Sequence, residues 1–142
     1  MTDKTTPARR RLLSAALALP VLAAPAWAAS DEPWPSKPIR WVVPYPAGGG
    51  NDFLARHVAP KLGERLGTKV VVDNRPGAAG IIGTEIAARS PADGYTLVFG
   101  DNGAMVFNTA LYSRLPYSPS DFEPVGFMAN FPLILVVSPD SG

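Results

Sequence analysis

The residues best placed to do chemistry in this chain are glycines and their neighbours. In "VVPYPAGGGNDFLAR" (42–56), Gly48, Gly49 and Gly50 stand in succession, with Tyr45 and Ala47 before them and Asn51 and Asp52 after. "NRPGAAG" brings Gly77, Ala78, Ala79 and Gly80, and "GDNG" brings Asp101, Asn102 and Gly103. Each stretch follows a β-prone run and precedes a helical one. Glycine has no Cβ, so a ligand can approach the main chain closely. The first N–H groups of a helix lack partners and carry a partial positive charge. Such a junction suits an anion held by backbone amides. Glycines that only make turns are the plain alternative, but three such loops on one edge of a sheet favour binding.

Other chemistries fit poorly. A dinucleotide fingerprint needs G-x-G-x-x-G, and Phe53 stands where the third glycine belongs. "GAAGIIG" also misses that spacing, and no G-x-x-x-x-G-K-[ST] phosphate loop is present. Asp73, at a strand end, reads as a solvated acid rather than a ribose ligand. His57 is the sole histidine, and no G-x-S-x-G elbow accompanies it, so it reads as a partly exposed helix residue. Acids are scattered, and the clusters that hold metals are missing. Arg75 either pairs with a substrate carboxylate or pins its own loop. Trp34, Trp41, Tyr95, Phe99 and Phe107 read as core or rim packing. No catalytic constellation emerges, and no cofactor is expected.

The elements that must position these loops follow from periodicity. Ile39 to Val43 is a short β-prone run. Leu54, Val58, Leu62 and Leu66 recur every fourth residue, one face of a helix that Asn51 or Asp52 can cap and Gly67 ends. Pro60 should kink or restart it. Lys69 to Asp73 is a second strand, about Ile81 to Arg89 a second helix, Tyr95 to Phe99 a third strand, and Met105 to Tyr112 a third helix. Val125 to Ala129 and Leu133 to Val137 are two further strand candidates. Continuous apolar runs point to strands covered on both faces, as in parallel sheets. Strand and helix alternate, so the domain is α/β with right-handed crossovers. The three glycine loops then all lie at the carboxyl ends of the strands, where open sheets bind ligands.

The N-terminus is a separate signal. Lys4, Arg9, Arg10 and Arg11 precede an apolar stretch from Leu12 to Ala26, and Ala26-Trp27-Ala28 offers an A-x-A cleavage pattern. The stretch is broken by Pro20 and Pro25 and is shorter than the roughly 20 apolar residues of a membrane helix. Residues 1–28 are expected to be an export signal, of Sec or twin-arginine type, and 29–38 an exposed lead-in. Of 13 Lys and Arg, four precede the cut, and of 12 Asp and Glu, one does, so the remainder carries about −2. Nothing then argues for a nucleic-acid surface. There is no cysteine, which removes disulfides, a lipoprotein anchor and thiolate metal sites.

At this point the residues resemble a family. "WPSKPIRWVVPYPAGGGNDFLAR", "LGTKVVVDNRPGAAGIIGTEIAARSPADGYTLVFG" and "FNTALY" are similar, in order and spacing, to the Bug-type solute receptors. These are the extracytoplasmic binding proteins of tripartite tricarboxylate transporters. The resemblance covers residues 33 to 139. It implies a periplasmic, two-lobed, type II-like binding protein that closes on a small organic carboxylate and hands it to membrane transporter subunits, without catalysis. By position it implies ligand contacts from Tyr45, Ala47, Gly48, Gly49, Gly50 and Asp52 in the first loop. Gly77, Ala78, Ala79 and Gly80 would contribute from the second, and Asp101, Asn102 and Gly103 from the third.

There are departures. Asp101 stands where such receptors often carry a small hydroxyl residue; a carboxylate there repels a second acidic group or attracts an ammonium, so an amino acid or monocarboxylate is expected. Thr109 replaces a common proline. The chain is expected to hold residues 39–142 of a first lobe and to stop before the second, and so to bind weakly alone. An exported α/β hydrolase or nucleotide-binding enzyme, and an effector-sensing domain of a regulator, are the readings from other classes.

Overall fold

The computed structural model describes residues 33–132 and 134–141. The expected export signal, residues 1–28, and its expected cleavage after Ala28 lie outside the described residues. Three strands, β1 (Ile39–Val43), β2 (Val70–Asn74) and β3 (Thr96–Val98), alternate with the helices α1 (Gly50–Leu66) and α2 (Ile81–Ala88). All pairs are parallel and the order is β2-β1-β3. The register sets Ile39 beside Val70, and Arg40 beside both Val71 and Thr96. From β1 the chain passes through α1 to one side, then through α2 back across to the other. Right-handed crossovers in opposite directions place the two helices on opposite faces of the sheet. β1 is therefore the strand at which winding reverses, and the loops after β1 and β3 flank the crevice there.

The packed face of α1 differs from the expected Leu54, Val58, Leu62 and Leu66 stripe. The buried positions are Asp52, Ala55, Ala59 and Gly63. Leu54 and Leu62 flank the core, whereas Val58 is 36% exposed. Small side chains let the helix backbone approach the sheet closely, and a Cβ on Gly63 would stand 2.6 Å from the Thr68 carbonyl oxygen. Trp41, Val43, Ala55, Ala59 and Phe99 form the core, with Trp41 stacked on Phe99 at 6.5 Å between ring centroids and 20° between planes. The helix runs through Pro60 unbroken and ends at Gly67, which takes the left-handed conformation (φ 68°) and donates to the Gly63 carbonyl. Its N-cap is Gly49, not Asn51 or Asp52, both of which lie within the first turn.

Beyond β3 the expected third helix exists in modified form. A π-helical turn, Gly103–Phe107, leads into α3 (Asn108–Leu111). The strands expected at Val125 to Ala129 and Leu133 to Val137 are not formed by residues 125–129 or 134–137. Apolar composition alone does not make a strand; its N–H and C=O groups need a neighbouring ladder, and these residues pair with none of the three strands. The described part of the lead-in, residues 33–38, is mostly exposed but tethered. Ser36 N–H donates to the Tyr95 hydroxyl at 2.8 Å, and Lys37 lies over the Tyr95 ring while pairing with Asp93.

Candidate functional site

The loops after the three strands converge on one side chain. Tyr45, at the centre of the first loop's Pro44-Tyr45-Pro46 run, donates its hydroxyl to Asp101 Oδ1 at 2.8 Å. The same hydroxyl lies 3.2 Å from where a Cβ on Gly80 would stand and 2.9 Å from one on Gly103. Any larger residue at either position would displace the tyrosine. Asp101 also accepts from Asn51 Nδ2 at 3.0 Å and from the Ala104 N–H at 2.9 Å. One carboxylate and one phenol thus stitch the first and third loops together, with Gly80 of the second loop packed against the phenol. Burial, and then the bond to the charged Asp101 beside it, push the Tyr45 phenol well above its ordinary value, so it stays a donor.

Beneath the first loop lies a second network. Asp52 is buried, and its oxygens accept from Gly48 N–H at 2.8 Å, Asn74 Nδ2 at 2.9 Å and Arg56 Nε at 2.9 Å. These bonds, the Arg56 contact foremost, hold its carboxyl down at about 2. Asn74 also donates to the Tyr45 carbonyl at 3.1 Å. Asp52 therefore shapes the glycine loop from below, and its oxygens are engaged by the protein. The first two glycines of that loop differ. Gly48 has φ +87°, a conformation other residues resist, and so serves the turn. Gly49 is extended (φ −79°, ψ 171°), and the nearest atom to a Cβ there is the Pro46 carbonyl oxygen at 3.5 Å. Neither backbone nor neighbours demand glycine at 49.

The second loop is held in unusual geometry. Gly77, Ala78, Ala79 and Gly80 all have positive φ, at 133°, 47°, 53° and 85°. Left-handed alanine costs about 1–2 kcal/mol each, and such strain gathers at functional loops when the surroundings enforce it. Here Asn108, buried in α3, donates to the Ala79 carbonyl at 3.0 Å, and Thr84 donates to the Gly80 carbonyl at 2.8 Å. Tyr117 in turn donates to the Ala104 carbonyl at 2.6 Å, fixing the π-helical turn.

Of the residues expected at the site, Tyr45, Gly80, Asp101 and Gly103 meet directly. Ala47, Gly48, Gly49, Gly50, Gly77, Ala78, Ala79 and Asn102 are exposed on the loops around them, and Asp52 turns inward. Asn51, Asn74 and Asn108 were not among the expected site residues, although "GGGND" and "DNRPG" contain the first two. Arg75 bonds Asp73 at 3.0 Å, so its loop-pinning reading holds, and burial, which alone would raise Asp73, is outweighed by Arg40 and Arg75 so that its carboxyl is lowered. His57 is exposed, its Nδ1 2.9 Å from the Phe53 carbonyl oxygen. A hollow of about 310 Å³ opens at Tyr45, Pro46, Gly49, Gly50 and Asn51, and another of about 510 Å³ between Asp101, Asn102, Met105 and residues 126–131. The larger groove of about 660 Å³ between the end of α1 and the start of β2 lies at the opposite end of the sheet; the hydrogen bonds converge at the loops.

Comparison with known proteins decides the kinship. The tripartite tricarboxylate transporter family receptor (TctC) profile matches residues 54–142. The chain belongs to the TctC receptor family. It is 44% identical over 134 residues to a UPF0065 protein of Pseudomonas sp., covering 94% of this chain and 39% of that one. It is 42% identical over 112 residues to the protein BugT of Bordetella pertussis, covering 78% and 34% respectively. The chain therefore spans about two-fifths or less of the length of these TctC-type relatives. Among solved structures, the protein MatC of Rhodopseudomonas palustris with bound malate superposes with a TM-score of 0.64 at 33% identity, over 66% of this chain and 32% of that one. An R. palustris protein with adipate gives 0.59 at 40% identity, over 61% and 29%. The fold is that of the periplasmic binding proteins, matched over part of their length.

Proposed function

We propose that the three loops form the anion seat of an extracytoplasmic receptor that captures a small carboxylate for a tripartite tricarboxylate-type transporter. The observation that carries this reading is Gly49. Its backbone is ordinary and its surroundings leave room for a side chain, yet glycine stands at the mouth of a hollow beside the α1 N-terminus. A ligand oxygen approaching the Gly50 and Asn51 amides would account for it. The bound malate and adipate of two similar proteins support a carboxylate as the ligand class. Residues 1–28 would direct export and be removed after Ala28, and a second lobe would complete the enclosure of the ligand. No catalytic role is assigned to any residue.

The test is Gly49→Val in the full-length protein, titrated by calorimetry against a panel of mono-, di- and tricarboxylates. The added branches should weaken binding by at least about 1–3 kcal/mol, the cost of leaving buried polar groups unpaired, with the thermal unfolding profile unchanged. Undiminished affinity in a folded variant would remove these loops as the site.

A further inference from the structure

The charge at the centre of the loops is unbalanced. Two other acids near the strand ends have cationic partners: Asp52 has Arg56 at 2.9 Å, and Asp73 has Arg40 at 2.6 Å and Arg75 at 3.0 Å. Asp101 has none among the described residues. Its donors are a phenol, an amide side chain and a backbone N–H, all neutral. Arg56 is already bonded to Asp52 and Asn74, and Arg75 to Asp73, so neither is released to neutralise Asp101 without breaking a loop contact. An ionised carboxylate offers about four acceptor positions. Oδ1 accepts from Tyr45 and Ala104, and Oδ2 from Asn51, which leaves capacity on Oδ2. Asp101 is half-buried and lines the 510 Å³ hollow with Asn102 and Met105, while its partner Asn51 lines the 310 Å³ hollow with Gly49 and Gly50. The carboxylate is thus a fixed negative charge that lines one space and is bonded to a residue lining the other.

We propose that Asp101 is a specificity-determining residue, selecting a monocarboxylate that carries an ammonium group over a dicarboxylate of the same length. The proposal rests on the glycine loops being the carboxylate seat. A ligand seated there by one carboxylate projects its other end past Asn51 towards Asp101. A second carboxylate meets a like charge held in place by three donors that prevent its withdrawal. An ammonium finds both an opposite charge and a free acceptor position. In partly desolvated surroundings a unit charge several ångströms away changes affinity by roughly tenfold or more.

The experiment uses the full-length protein and matched probes: γ-aminobutyrate against succinate, ε-aminocaproate against adipate, and L-alanine as an α-amino acid. Calorimetry on the unaltered protein should give tighter binding, by roughly tenfold or more, for at least one amino member than for its dicarboxylate. Asp101→Asn removes the charge and keeps one acceptor oxygen, and it should collapse or invert that ratio. Asn51→Ala removes a donor to Asp101 and leaves the charge, so it should weaken all ligands together and preserve the ratio. The ratio is a readout that a loss of loop rigidity alone would not move. A dicarboxylate preference in the unaltered protein, or a ratio unchanged in Asp101→Asn, overturns the role of Asp101 while leaving the seat intact. If Gly49→Val leaves every affinity unchanged, the seat itself is wrong and the proposal falls with it.

Discussion

Asp52 illustrates how a single side chain can look like a ligand group and act as a foundation. It follows the glycines closely and sits at the positive end of α1, yet its oxygens are engaged by Gly48, Asn74 and Arg56. Its carboxyl titrates at about 2 instead of the ordinary 3.8. A folded-state value below the unfolded one means that the stabilisation is fully present above about 3.8 and is lost as pH falls towards about 2. Unfolding free energy measured across that interval should decline with falling pH, and the decline should be shallower in Asp52→Asn, which is already destabilised at neutral pH. Equal slopes in the two proteins would show that Asp52 is not the responsible group. The sequence placed this residue correctly at the helix start but could not reveal its direction. Side-chain orientation there depends on Asn74 and Arg56, which are 22 and four residues away. The Tyr45–Asp101 bond, spanning 56 positions, was equally invisible: each residue was nameable, their meeting was not.

At the scale of elements, α2 and the loop before it form a tightly fitted pair. A Cβ on Gly83 would stand 2.6 Å from the Arg75 carbonyl oxygen and 2.7 Å from Pro44 Cα, so the helix backbone touches the loops after both β1 and β2. Gly83→Ala improves helix propensity by about 1 kcal/mol, but the contacts are backbone and cannot swing aside. Overpacking of this kind costs about 1–3 kcal/mol, and the urea midpoint should fall. Ala79→Gly should act in the opposite direction. It removes a left-handed alanine worth about 1–2 kcal/mol against about 0.4–1 kcal/mol of added chain entropy, so the midpoint should rise slightly. The strand and helix positions were legible because their periodicities are local. β1 was expected at Ile39 to Val43 and is found there; β2 and β3 differ from their expected bounds by one residue at each end, and α2 by one residue at its C-terminal end. The buried stripe of α1 was not legible: alanine and glycine carry little hydrophobic signal, and their burial follows from how closely the helix can sit on the sheet. The positive φ of Ala78 and Ala79 gave no signal at all, since alanine does not advertise that conformation.

At the scale of the molecule, the apolar surface of the described residues is unevenly distributed. Val125 (85%), Phe127 (86%), Leu135 (95%) and Val136 (79%) are largely exposed, as is Leu111 at 75%. Exposed apolar stretches of this extent mark contact surfaces or association liabilities. Residues 29–142 expressed alone should associate with rising concentration, as followed by light scattering, and Leu135→Lys combined with Val136→Lys should suppress it. Association unaffected by both changes would place the sticky surface elsewhere. The overall α/β architecture could be anticipated from alternation, and the fate of residues 125–137 could not. Composition says that a run is apolar, whereas pairing depends on a neighbour in space.

The stack of Trp41 on Phe99 has a practical consequence. Phe99 is the last core residue before Gly100 and Asp101, so the indole lies one ring away from the third loop, with its Nε1 buried and unbonded among the described residues. Trp34 is 51% exposed. Of the chain's three tryptophans, Trp27 lies outside the described residues; Trp34 and Trp41 emit from different surroundings, Trp41 to the blue of Trp34. Any occupant that shifts the third loop should alter the Trp41 component and not the Trp34 component, giving the molecule an optical gauge that needs no added label.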